Sequence, residues 1–144
     1  MPRAYYSTVF DQPAEVVWRT VRDFGHYSWA GTGIEAEMEG GKPGDAVGSV
    51  RRVGTTGQPI RQRLLAHSDA GRFYSYEFCE PAPFPVRHYR ATLRITPVTE
   101  GGRAFIEWWA TFECDEQERG HWVEHFEHHG FARWLASLRG HIGA

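Results

Sequence analysis

Four histidines crowd the C-terminal part of the chain: His121, His125, His128 and His129. They include two i, i+4 pairs, the spacing at which a helix offers two imidazoles to one metal ion. No HExxH pattern accompanies them, and a helical wheel turns His121, His125 and His128 away from the apolar side. A solvated helix face is therefore expected, with no metal. Glu127 and His141 fall on the apolar arc of the same wheel. A carboxylate there must find a partner at the rim, such as Arg63 or Arg94, or have its pKa raised by desolvation, which would suit it to proton transfer. His141 has a second reading, as part of the frayed chain end. Tyr76 and Tyr89 sit in strand-like runs whose alternation turns them inward, and a buried phenol needs a hydrogen-bond partner. Glu127 and Tyr76 are thus the candidate catalytic pair. There is no GxSxG, no phosphate-cradling GxGxxG or GxxxxGK[ST], and Gly40-Gly41-Lys42 reads as a turn. Covalent and nucleotide-dependent chemistry is disfavoured.

Whatever positions these groups is built from 144 residues, enough for one domain (1–144) with a real core. Net charge is -2, so no basic field draws phosphates and nucleic acid is not expected as a partner. Aromatic residues make up 15% of the chain, six of them Trp, and that much ring area must be buried or must line something. The two cysteines, Cys79 and Cys114, lack any CxxC partner and are expected to be free thiols. The opening MPRAYYSTVF has no apolar run followed by a cleavage site, and no later stretch is apolar enough to span a bilayer. A cytoplasmic protein without integral membrane association is expected, as a monomer or homodimer.

Ala4 to Phe10 is short, aromatic and β-branched, and Asp11-Gln12-Pro13 announces a helix directly after it, with Asp11 as the expected cap. Val17, Trp18, Val21 and Phe24 give that helix one apolar face, ending near Gly25. His26 to Gly33 admits a short second helix or a mobile turn. Ile34 to Glu39 alternates, with Ile34, Ala36 and Met38 on the dry side. Val47–Val53, Ile60–His67 and Arg72–Cys79 read as strands joined by turn-rich connections, then the proline-rich loop 80–85 leads into strands Val86–Val98 and Arg103–Cys114. Thr99-Glu100-Gly101-Gly102 marks a hairpin. From about Glu118 to Ile142 the pattern is helical, with Trp122, Val123, Phe126, Phe131, Trp134 and Leu138 forming a broad apolar arc.

The segment VRHYRATLRITPVTEGGRAFIEWWATFEC resembles the penultimate hairpin of the SRPBCC superfamily, the START-like group that includes polyketide cyclase/dehydrase and lipid-transport proteins. FDQPAEVVWRTVRDFGHYSWA, IRQRLLAHSDAGRFYSYEF and the PAPFPVRHY loop are similar to the same group, so the resemblance spans nearly the whole chain. It implies an α+β helix-grip fold: a curved antiparallel sheet of about seven strands around a long C-terminal helix, with two short helices after the first strand. Members of that group often carry Glu where this chain has Gln62, so a base at that position would be absent.

On such a fold the small Ala91 and Ala110 leave room beneath the helix, and a cavity is expected. Its expected lining from the sheet is Gln62, Tyr76, Tyr89, Ala91, Trp108 and Ala110. Trp29, Phe126, Gly130 and Trp134 complete it from the helical segments. The opposite phase of the Ile60–His67 strand, with Arg61 and Arg63 inward, stays open and would make the pocket anion-friendly. The resemblance implies binding of a hydrophobic, aromatic or polyketide-like molecule, with cofactor-free cyclisation or dehydration by enforced proximity as one reading. A non-catalytic carrier or sensor of a lipid or apolar metabolite is the alternative. A third reading takes Trp109 and Trp122 as an exposed docking surface.

Overall fold

The computed structural model describes residues 1–54 and 59–143. The glycine-containing connection expected between the third and fourth strands falls mostly on residues 55–58, outside the described residues. Strand β1, Arg3–Phe10, runs into helix α1, Ala14–Val21, through Pro13, whose extended backbone starts the helix. Asp11 does not cap it: the N-cap is Pro13 and no side chain bonds to the first turn. Val17, Trp18 and Val21 are buried, as is Phe24 just beyond the helix. Ser28–Ala30 forms a single 3₁₀ turn, the short helix left open by the sequence.

The remaining strands are β2 (Ala36–Met38), β3 (Val50–Val53), β4 (Ile60–Ser68), β5 (Phe73–Phe78), β6 (Arg87–Val98) and β7 (Arg103–Glu113). They form one antiparallel sheet in the order β1-β7-β6-β5-β4-β3-β2. The two shortest strands, β2 and β3, are shorter than their alternating sequences suggest, because glycines at positive φ, Gly40 and Gly48, turn the chain there. The long β6–β7 hairpin alternates through its middle, between an irregularity at Arg87–Arg90 and the exposed Pro97: Ile106, Trp108, Ala110 and Phe112 are wholly buried, and Ala91, Leu93 and Ile95 face the same way from β6.

The C-terminal helix closes over that face in three pieces. Helix α2, Arg119–Glu124, passes into a π-helical turn, His125–Phe131, and then into α3, Ala132–Ile142. A π turn adds about one residue to the local repeat and so rotates everything after it relative to a uniform wheel. The buried positions run Trp122, Phe126, Phe131, Leu135 and Leu138, stepping by five residues across the π turn. Leu135 is thereby brought inward, and Trp134 is only half-buried. Among the described residues no helix is long and apolar enough to cross a membrane.

Candidate functional site

The space between sheet and C-terminal helix holds a continuous aromatic interior. At its centre Trp108 of β7 stacks on Phe131 (ring centroids 5.2 Å apart, 17° between planes) and touches Trp134 at 5.1 Å and Trp29 at 5.9 Å. Trp29 reaches that position from the 3₁₀ turn and is 0% exposed, its indole N–H donating to the His26 carbonyl at 2.9 Å. Gly130 is what lets Trp134 lie across the helix, since a Cβ there would sit 3.3 Å from its ring. Ala91 and Ala110 lie directly opposite each other in the β6–β7 register. At the far end, Tyr89 stacks on Phe78 at 4.4 Å and meets Phe126 at 5.0 Å, with Phe84 of the proline-rich loop against Phe126 and His125.

The small residues were expected to leave an open cavity, and here the protein's own rings occupy that region. Five clefts of about 220 to 450 Å³ open along the surface, and none of these five is lined by Trp29, Tyr76, Ala91, Trp108 or Ala110. Trp29 contributes to that filling: a bicyclic side chain delivered from outside the sheet, it is wholly buried against Trp108, the residue two before Ala110 on the same face of β7. Tyr89 alone of the inward tyrosines borders any of these clefts, one of about 220 Å³ beside Phe78 and Cys79 and one of about 450 Å³ beside His88 and Thr111.

A polar thread runs through the aromatic region. Trp108 Nε1 donates to the Tyr76 hydroxyl at 3.1 Å, and hydrogen bonding from Tyr76 in turn opposes the rise that burial gives the Tyr89 pKa. Gln62 faces inward from β4 and is buried, whereas Arg61 and Arg63 turn outward and pair with Glu39 and Glu77. That fixes the strand phase that sequence alone left open. The Gln62 amide oxygen accepts from Arg51 Nε at 2.7 Å, and Arg51 Nη1 donates to the Phe24 carbonyl at 3.1 Å. The Arg51 guanidinium lies 3.9 Å from the Phe24 ring centre and 4.0 Å from that of Tyr27. Burial raises the pKa of Tyr27, Tyr74 and Tyr76, with the Arg51 charge opposing it, so all three stay protonated donors.

Sequence reasoning overlooked Arg51, although a signal was present. Arg51 and Arg52 are adjacent on a strand, and adjacent strand residues point to opposite faces. One of the two must therefore face the covered side whatever the phase. Glu127, by contrast, is not brought near Tyr76 by any contact. Its Oε2 accepts the backbone N–H of Tyr5 at 2.9 Å, tying the π turn to edge strand β1, and neither Arg63 nor Arg94 reaches it. His141 stands exposed at the chain end, its ring 6.2 Å from that of His26. His121, His125 and His129 form a stacked ladder along the helix. Among the described residues no group of three or more His, Cys, Asp or Glu side chains is arranged to hold a metal ion. Trp122 is nearly buried, and Trp109 lies under Arg3 and Arg94, so neither is a bare docking ring.

A seven-stranded antiparallel sheet closed by one long C-terminal helix is the helix-grip arrangement, a fold for binding hydrophobic ligands between the two. Residues 1–140 match the model of the family described as polyketide cyclase / dehydrase and lipid transport, and the chain belongs to that family, within the SRPBCC superfamily. A solution structure of a protein from Thermobifida fusca is 27% identical, with a TM-score of 0.85 over 99% of this chain and 94% of that one. The di-domain ARO/CYC protein BexL is 19% identical, with a TM-score of 0.77 over 99% of this chain and 46% of that one. Norcoclaurine synthase from Thalictrum flavum, solved with dopamine and hydroxybenzaldehyde, is 12% identical, with a TM-score of 0.74 over 97% of this chain and 85% of that one. Identities of 19% and 12% carry the fold alone. No curated protein matches the sequence.

Proposed function

We propose that this chain, as a single cytoplasmic domain, binds a hydrophobic, aromatic or polyketide-like molecule between the sheet and the C-terminal helix, in the region now filled by Trp29. One observation carries the reading: the ring that plugs the interior is delivered by a three-residue 3₁₀ turn, not by the sheet or the closing helix. A turn of that length can withdraw without breaking a strand pairing, and the space it vacates is bordered by Trp108, on which Phe131 and Trp134 pack. That norcoclaurine synthase shares the fold and holds small aromatic molecules supports the same direction.

The polar groups of this region favour holding over turnover. The buried polar and charged side chains are Ser49, Arg51 and Gln62, and with the protonated tyrosines they present donors and no carboxylate base. A substrate that cyclises or dehydrates here would draw its help from confinement and from the Tyr76 hydroxyl, with no cofactor. The carrier reading requires neither. Native mass spectrometry of the protein mixed with naphthalene and anthraquinone derivatives tests the proposal: a one-to-one complex weakened by Trp108→Ala is expected. Absence of any complex across the series refutes it. If a bound aromatic substrate turns over and Tyr76→Phe abolishes its conversion while leaving binding intact, the catalytic reading prevails over the carrier.

A further inference from the structure

Arg51 is the one charged side chain withdrawn from water among the buried polar residues described, and it is 0% exposed. Its hydrogen-bond acceptors, the Gln62 amide and the Phe24 carbonyl, are both neutral, and none of the ion pairs among the described residues includes it. Nη2 is buried with no hydrogen-bond partner, and the Tyr27 and Tyr74 hydroxyls on which the Arg51 charge acts are neutral as well. A guanidinium cannot shed its charge, so it cannot escape the cost of burial by deprotonating. The faces of Phe24 and Tyr27 offset part of that cost through cation–π attraction, but rings do not accept the Nη2 hydrogens as a carboxylate would. As a purely structural element, a methionine of similar length would fill the same volume without a buried charge.

The neighbours sharpen the selectivity. The Tyr74 hydroxyl is also buried without a partner, and it lies close enough to Arg51 for the guanidinium to oppose the rise that burial gives its pKa. Nη2 and the Tyr74 hydroxyl therefore both present hydrogens without a partner in one dry, ring-walled region, and a group made only of acceptor oxygens and bearing negative charge complements them. Tyr27, whose ring covers the guanidinium, directly precedes the Ser28–Ala30 turn that carries Trp29. The movement that vacates the Trp29 site is thus the one that uncovers Arg51.

We infer that the ligand is an aromatic acid, bound as its anion, with its carboxylate on Arg51 and its ring system in the place of Trp29. This rests on the ligand-binding reading above and adds the charge of the ligand. Wild-type protein titrated by calorimetry at pH 7 with 2-naphthoate and with the isosteric neutral 2-naphthamide should bind the acid at least tenfold more tightly. Arg51→Met should bring naphthoate to the amide level while the amide still binds, and Arg51→Lys should keep part of the preference. Equal binding of acid and amide by the wild type overturns the inference and leaves the ligand-binding proposal standing. A preference that survives Arg51→Met, as surface arginines would give, overturns it equally. Binding of neither compound up to its solubility overturns both. The wild-type comparison needs no variant, so a folding defect in Arg51→Met does not shelter the idea.

Discussion

Trp29→Ala is the perturbation that bears most directly on how the interior works. The side chain is wholly buried, packs edge-on against Tyr27 at 5.1 Å and against Trp108 at 5.9 Å, and bonds only to the His26 carbonyl in its own segment. Truncating a buried Trp to Ala typically costs about 3–5 kcal/mol through lost transfer free energy and the void left behind. The local hydrogen bond adds little, because the exposed residue His26 lets water replace the indole at its carbonyl. Urea denaturation followed by far-UV circular dichroism should therefore show a lower midpoint with an unchanged slope, by about 3–5 kcal/mol. Because the walls of the void belong to sheet and helix, 2-naphthoate should recover part of the loss, rising with the logarithm of its concentration. A loss below about 1 kcal/mol, in the range of surface substitutions, would mean the ring is not sealed inside in solution. A full loss with no recovery at any ligand concentration would mean the void collapses and the region does not admit a guest.

Gly44→Ala should destabilise by about 1–3 kcal/mol, as overpacking does, because a Cβ there runs into the Asp23 carboxylate and lies 2.8 Å from the Phe24 nitrogen; thermal melting checks it. The Asp69 carboxyl, held well below the usual range by the Arg22 hydrogen bond and then by Trp18 Nε1, contributes stability that is present above about pH 4 and lost as pH falls below it. Asp69→Asn should flatten that acid limb and, for a pair this exposed, cost only about 1 kcal/mol at neutral pH. His125 has its pKa lowered by burial and then by the charges of His129 and His121, so the unfolded chain takes the proton first and stability should decline as pH drops below about 6.5. His125→Gln should reduce that slope in melting curves recorded across pH; an unchanged slope would contradict the packing of His125 against Phe84. Glu127→Ala should cost about 1 kcal/mol by freeing the Tyr5 N–H, while Glu127→Gln, which keeps an acceptor, should cost less in urea denaturation.

Local pattern alone settled the elements whose neighbours agree with it. Alternation assigns the inward residues from Tyr89 to Ile95 and from Ile106 to Phe112 of the long hairpin, because the pleat has a period of two regardless of what covers it. The Pro13 junction, the Thr99–Gly102 turn and the aromatic closing helix are equally local, and together with the family resemblance they define the fold. Three features belong to tertiary structure. The π turn at His125–Phe131 breaks the uniform 100° step, so a wheel misjudges Trp134 and misses Leu135. Glu127 finds its partner in Tyr5, 122 residues away, a pairing that exists only once β1 has joined β7 and the helix has closed over both. Sequence could say that Arg51 or Arg52 must face inward; only the register of β3 against β4, which sets Arg51 opposite Gln62, decided which one lies buried among rings. Period is a property of one strand, whereas register and occupancy depend on several segments meeting, and the chemistry of this interior resides in the latter.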